Sequence, residues 1–431
     1  MAAKKKKTNV YVQQKIQAAK HQKIFMERLR NLCTTIGNGE QLFDLLPYYV
    51  TNTIYVNRGA AIKIRVEPGA KITKRFVKIM YAHIDQETKK KKINILLPGR
   101  DIEVSLSEYN QYILPLETVL LNVPEFHGKE KFDDFVKCWE DRYRSYIQGL
   151  IGIVNNTCYA YSDIGRKKFY TFQYNEHRAY NGCGKNEHTG MLYQVITLGI
   201  YKLDIKHVTI NGDSRPAVQT GEIQHSYNQS TLLPTTVLAR RLGLKTLGSK
   251  EIPVYVQQHA VERTMQRACC VYPGCVHSMI NKAFINKHQI IREGERYLIE
   301  CYDNDIKIGY FVGIYVEEIL VIRTFLLITH SGTPEGRKLS ELTGLQRSDI
   351  SFLAIDDLKT LINSDIVHDS RVLQIFLEAG CESILDMNFM LHRGDFAWLK
   401  DEAKQNIKLA EMITEYIQLG DSDEEYFEND K

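Results

Sequence analysis

The chain has 431 residues, enough for two or three hydrophobic cores, and its 44% hydrophobic and 25% charged residues are ordinary for protein that folds. No apolar run reaches the roughly 18 residues that cross a bilayer. Met1-Ala-Ala-Lys-Lys-Lys-Lys has no apolar stretch behind its charges, so the reading excludes membrane spans and a secretory leader.

Nine cysteines, an odd number without a regular framework, fit reduced thiols in a cytoplasmic protein better than a disulfide scaffold. The net charge of +4 is unevenly spread. Residues 1–30 hold nine Lys/Arg against one Glu, whereas residues 371–431 hold six Lys/Arg against fourteen Asp/Glu. Such asymmetry suits a nucleic-acid partner for the basic end, with Lys4, Lys5, Lys6 and Lys7 as phosphate contacts. It equally suits two solvated tails.

In chain order, residues 8–36 read as a basic amphipathic helix. Val12, Ile16, Ala19, Met26, Leu29 and Leu32 fall near helical spacing, and Gly37-Asn-Gly39 stops the pattern. Alternation then predicts strands at Thr53–Val56, Ala61–Val66 and Phe76–Tyr81. The four lysines Lys89 to Lys92 read as a hairpin tip before a strand at Ile93–Leu97. A helix is expected over 129–149. Strands rich in Tyr and Thr follow at Thr157–Tyr161, Lys168–Phe172, Met191–Ile196 and His207–Ile210. Between them, Asn175–His188 reads as a polar loop. Its His177, Cys183 and His188 lack a fourth ligand and a recognised spacing, so no metal is assigned there.

A short helix at Thr231–Gly243 and a linker at Leu244–Lys250 place a domain boundary near 250. The expected organisation is therefore α+β and multi-domain, with mixed antiparallel sheets and helices. Residues 1–38 are the basic helix, 40–250 an α+β domain, 251–340 a second α+β domain, 341–419 a helical region and 420–431 an acidic disordered tail. Helical periodicity is read at 341–347, 355–364, 371–379 and 395–419. That C-terminal region is a candidate protein-contact surface.

Chemistry concentrates in residues 251–340. Val254-Tyr-Val-Gln-Gln-His-Ala-Val-Glu-Arg-Thr-Met-Gln-Arg begins as a strand and turns helical. His259, Arg263 and Arg267 then stack at i, i+4 and i+8 along one helix face. Three strand-like segments follow, at Arg296–Tyr302, Ile306–Gly313 and Leu320–Thr329, so a helix precedes an antiparallel meander. The neighbouring Cys269, Cys270, Cys275 and His277 form a tight cluster, but adjacent cysteines are poor zinc ligands. In His330-Ser-Gly-Thr-Pro-Glu-Gly336, Thr333 is a candidate cap for the helix that follows.

His259-Ala260, Arg263 and Arg267 carry the pattern His-Ala-x-x-Arg-x-x-x-Arg, and over about 90 residues the chain resembles small ribonuclease toxin domains of the RelE and BrnT type. That resemblance implies a RelE-like helix-plus-sheet domain and metal-independent attack of an RNA 2′-hydroxyl on the adjacent phosphate. His259 would be base or acid, Arg263 and Arg267 would grip phosphate oxygens, and Arg323 or His330 would fill the remaining role. Two departures stand against it: a longer, cysteine-bearing link after the helix, and a last strand that runs into the His330 loop. The same residues also read as structural, with His259 capping its helix and the arginines paired to Glu262 or Glu300. Two functions stay open. One is an RNA-binding or metal-independent RNA-cleaving protein of toxin type without a cofactor. The other is a non-enzymatic binding or structural protein of a phage or mobile element.

Overall fold

A computed structural model describes residues 2–58, 62–97, 100–180, 190–226, 229–270, 272–303, 305–385 and 408–417. The calls at Pro98-Gly99, Cys183, His188, 395–407 and 420–431 lie outside them. The chain gathers into two compact units. The first is Met1–Cys158, Thr171–Ile200 and Tyr227–Gln229; the second is Tyr159–Tyr170, Tyr201–Ser226 and Ser230–Lys431.

The first unit opens with α1 (Ala2–Ile36) and α2 (Tyr48–Val56), then β1 (Lys63–Val66) and α3 (Lys74–Lys90). The strands expected at Thr53–Val56 and Phe76–Tyr81 are helical instead. In α3 the buried residues are Met80, Ile84 and Thr88, spaced by four. A six-residue window cannot separate that period from alternation, and Thr73 caps the helix by accepting from the Phe76 N–H at 3.2 Å. The lysine run is not a hairpin tip. Lys89 and Lys90 close α3, where cations suit the carbonyl end, and reach back to Asp85 at 2.6 Å and Glu87 at 2.8 Å.

Next come the hairpin β2 (Lys92–Leu97) and β3 (Arg100–Ser105), α4 (Leu106–Glu108), a π-turn at Tyr109–Ile113 and α5 (Leu114–Asn122). The helix expected over 129–149 is divided. A 3-10 turn leads into α6 (Asp133–Lys137), and α7 (Trp139–Tyr161) runs on through the expected Thr157–Tyr161 strand. In α7 the buried Arg142, Tyr146, Leu150, Val154 and Cys158 recur every four residues, so core packing overrides the strand preference of Thr and Tyr. Long strands β4 (Phe169–Tyr180) and β5 (Gly190–Tyr201) complete a sheet ordered β1-β5-β4.

The second unit is built on an eight-stranded mixed sheet. Its strands are β6 (Ile205–Ile210), β7 (Asp213–Gln219), β10 (Thr236–Leu238), β11 (Glu251–Val256), β12 (Ile290–Glu293), β13 (Arg296–Asp303), β14 (Ile306–Val316) and β15 (Ile319–Leu327), while β8 (Gly221–Ser226) and β9 (Gln229–Pro234) pair separately. The sheet order is β12-β13-β14-β15-β11-β7-β6, with β10 beside β11. The short helix expected over Thr231–Gly243 is therefore two strands and a 3-10 turn. Strands from before residue 250 share this sheet with β11, so the expected boundary does not coincide with a break in the hydrogen bonding.

β13, β14 and β15 form an antiparallel meander, and α8 (Gln258–Arg267) lies along β15. The link between α8 and the meander is helical, as α9 (Pro273–Ile285), while the parallel pairing of β11 with β15 lies outside the plan expected for 251–340. α10 (Pro334–Thr343), α11 (Arg347–Phe352), α12 (Leu358–Ile362) and α13 (Ser370–Glu378) follow, and 409–417 is helical. Val254, Val256, Ala260, Val261, Leu320, Ile322, Phe325 and Leu339 share one core, which joins α8 and the C-terminal helices to one sheet face. Among the described residues no helix is long and apolar enough to cross a membrane.

Candidate functional site

β11 delivers the chain directly into α8, and the Gln257 N–H donates to the Ile322 carbonyl at 2.9 Å, which fixes the helix start against β15. Ala260, Val261 and Thr264 turn inward. His259, Arg263 and Arg267 then share the outward stripe, as their spacing requires.

They are not equivalent. His259 is exposed and Arg263 half-buried, its Nη1 donating to Gln266 Oε1 at 2.9 Å. Arg267 is engaged twice. It pairs with Asp356 at 3.0 Å, both side chains only 16% exposed, and donates to the Phe325 carbonyl at 2.8 Å. The expected pairings with Glu262 and Glu300 do not form. Glu262 accepts from Gln258, and Glu300 accepts from Lys307. Nor does His259 cap the helix, whose N-cap position is Gln257.

His330 lies in the turn between β15 and α10. Its Nδ1 accepts from the Gly332 N–H at 2.9 Å, which leaves Nε2 to carry the proton of a neutral ring. Thr333 holds that turn: its single hydroxyl proton is shared between the Ile328 and His330 carbonyls, and its oxygen accepts from the Gly336 N–H at 2.9 Å. Gly336 is required by close approach, because a Cβ there would lie 2.0 Å from the His330 carbonyl oxygen.

Burial and then the arginines set the state of both histidines. Burial lowers His259 first, followed by Arg263, with Arg215 of β7 and Arg267 adding and Glu262 opposing. Burial and then Arg267 push His330 down to about 4, with Arg347 and Arg296 adding and Asp356 opposing. Arg267 is thus close enough to bias both rings. Asp356, from the segment after α11, is a member of this site that the sequence reading missed, because no local pattern links so distant a position to Arg267.

Val312 pairs with Thr324 and Gly313 with Ile322, so Arg323 is the extra residue of a bulge in β15. Leu320 and Ile322 point into the core beneath α8, whereas Val321 belongs to a separate cluster with Tyr255 and Val208. Phe325 shares that core with Leu320 and Ile322, so the alternation of side chains breaks at the bulge. The Arg323 Nε is buried with no hydrogen-bond partner among the described residues.

Lys4, Lys5, Lys6 and Lys7 lie on α1, and their side chains are outside the described residues. The cysteine cluster is dispersed. Cys269 approaches Asp357, Cys270 approaches Met279, and His277 is buried with its Nε2 donating to the Gly221 carbonyl. Among the described residues no group of three or more His, Cys, Asp or Glu is placed to hold a metal ion.

The arrangement offers an exposed imidazole whose pKa is lowered from the usual histidine value, on the same helix face as the half-buried Arg263. No family model, curated protein or solved structure matches the chain.

Proposed function

We propose that the second unit binds RNA along the His259–Arg263 stripe of α8 and cleaves it without a metal, as an endoribonuclease of the toxin type with a RelE-like domain in residues 251–340. The observation that carries this reading is His259 itself: an exposed imidazole at the start of a helix, its pKa lowered from the usual histidine value by partial desolvation and then by Arg263 and Arg215. A neutral imidazole accepts the 2′-hydroxyl proton, and the adjacent guanidinium groups stabilise charge gathering on phosphorus. His330 is the remaining candidate acid or base, and the basic segment at Lys4 to Lys7 adds phosphate affinity that falls with salt.

A second reading, an RNA-binding protein without cleavage, is favoured by the locking of Arg267 onto Asp356, which leaves fewer groups for the chemistry. The deciding experiment incubates the purified protein with mixed-sequence RNA and with its 2′-deoxy counterpart. Cleavage is expected of RNA alone, lost in His259→Ala and impaired in Arg263→Lys, at unchanged melting temperature. RNA bound but intact selects the second reading. Failure to bind RNA ends both.

A further inference from the structure

The first hundred residues carry 21 Lys/Arg against six Asp/Glu, whereas the remaining residues carry 35 against 46. That excess is not confined to the start of α1. Lys71, Lys74, Arg75 and Lys78 are four cations within eight residues, in the turn before α3 and in its first two turns, and all four are exposed.

The fold sets them side by side. α3 buries Met80, Ile84 and Thr88, and helical spacing places Lys74, Arg75 and Lys78 on the opposite side. Just ahead, the Ala70 N–H donates to the Glu67 carbonyl at 3.0 Å and the Ile72 N–H to the Ala70 carbonyl at 2.9 Å. These turns bring Lys71 to the start of the helix.

The carboxylates closest in the chain are committed elsewhere. Asp85 holds Lys89 at 2.6 Å, Glu87 holds Lys90 at 2.8 Å, and the Glu67 side chain lies against Gly199 of β5. Among the described residues no carboxylate pairs with Lys71, Lys74, Arg75 or Lys78.

In the free protein this placement is unfavourable. The first turn of a helix is the positive end of its dipole, where Asp or Glu is stabilising, and α3 has neither there. Like charges four apart, as Lys74 and Lys78 are, also repel. A bound polyanion reverses both effects. A lipid surface requires an apolar face beside the cations, but Met80 and Ile84 turn inward and the exposed large apolar side chains of α3 are Ile79 and Tyr81 alone. A protein interface likewise requires an apolar centre. A phosphate backbone requires only the charge.

We propose that this face of α3 binds the sugar–phosphate backbone of a polynucleotide without regard to sequence, with Lys71, Lys74, Arg75 and Lys78 as the phosphate contacts. Only first-unit residues take part, so the site does not rest on the α8 reading.

The test is fluorescence anisotropy of labelled single-stranded RNA, single-stranded DNA and duplex DNA with the full chain at several salt concentrations. At least one of them is expected to bind saturably. The triple variant Lys74→Gln, Arg75→Gln, Lys78→Gln is expected to weaken that binding by at least about tenfold at 0.1 M salt. Its slope of log affinity against log salt should fall by about 2–3, since each phosphate contact contributes about 0.7–0.9. Lys74→Arg with Lys78→Arg should bind as wild type. Lys131→Gln, Lys137→Gln, Arg144→Gln removes the same charge from ion-paired positions elsewhere in the unit and should change little. Arg263→Ala, measured alongside, reports on the α8 face separately. The triple variant should melt no earlier than wild type, and if it does, Lys78→Gln alone carries the result through its slope. Absence of binding to all three polynucleotides overturns the proposal. So does an unchanged affinity and slope in the triple variant, or an equal loss in the control variant. Binding to phosphatidylserine vesicles that the triple variant loses while it still binds polynucleotide as wild type also overturns it, in favour of a lipid surface.

Discussion

Replacing Arg267 separates a residue that holds the fold from one that serves the site. Arg267 and Asp356 are each 16% exposed and 3.0 Å apart, between the two regimes for which magnitudes are known. Exposed pairs contribute about 0.2–1 kcal/mol, whereas removing one partner of a buried pair costs about 3–5 kcal/mol. Arg267 also donates a charge-assisted hydrogen bond to the Phe325 carbonyl, and Arg267→Met leaves that acceptor and Asp356 without it. We therefore expect Arg267→Met to destabilise the second unit by about 2 kcal/mol. Arg263→Ala, which loses only a contact to Gln266, should stay within about 0.5 kcal/mol of wild type. The assay is urea denaturation followed by a probe within the second unit, since two units need not unfold together. With a slope of about 2 kcal/mol per M, the Arg267→Met midpoint falls by about 1 M. An unchanged midpoint combined with a large loss of RNA affinity would refute the assignment and return Arg267 to the phosphate-binding set.

The remaining predictions concern groups whose environments are equally explicit. His277 is buried, burial pushes its pKa down to about 4, and the unfolded chain takes up its proton near 6.5. Its contribution is thus complete above about pH 6.5 and is lost as pH falls towards 4, by about 3 kcal/mol in all. Stability measured across that window should fall less steeply in His277→Gln, and an identical slope in the variant rules the residue out as a source. Glu117→Gln should cost about 3–5 kcal/mol by removing the buried negative charge that faces Arg142, whereas Glu117→Leu with Arg142→Met should recover most of it. Equal losses in the single and double variants in chemical denaturation would contradict the pairing. Gly336→Ala forces the His330 turn to move and should cost about 1–3 kcal/mol, read as a lowered Tm. If the RNA reading holds, cleavage should be flat through neutral pH and should decline in acid as His259 takes up a proton, since its pKa lies below the usual histidine value. A rate that rises on acidification would assign His259 the acid's role.

What was legible in the sequence followed from long, consistent patterns. The run at 254–267 and the three strand-like segments of the meander each keep one period between clear breaks, and Thr333 caps the helix its position suggested. The strands expected within Thr53–Val56 and Phe76–Tyr81 failed because six or fewer β-branched and aromatic residues satisfy either period. Only the core, through Ile54, Met80 and Ile84, decides between them. The π-turn was invisible for a different reason. It depends on Tyr109, Glu117 and Arg142 meeting across 33 residues, and nothing local to any of the three announces the others.

The α8 stripe shows how one periodic pattern divides its labour. Identical spacing placed His259, Arg263 and Arg267 on one face, yet their environments grade along the helix from exposed to paired. At the C-terminal turn Arg267 meets the carbonyl end of the helix dipole, Asp356 and the Phe325 carbonyl, all of which favour a fixed cation. At the first turn His259 meets the positive end of the same dipole together with Arg215 and Arg263, which disfavour a charged imidazole and favour an incoming anion. The helix therefore anchors itself through Arg267 at one end and holds the exposed His259 ring at the positive end of its dipole at the other. Moving the histidine to the last turn would reverse its electrostatics without altering the sequence spacing. The motif alone thus does not specify chemistry; its direction relative to the strand that launches it does.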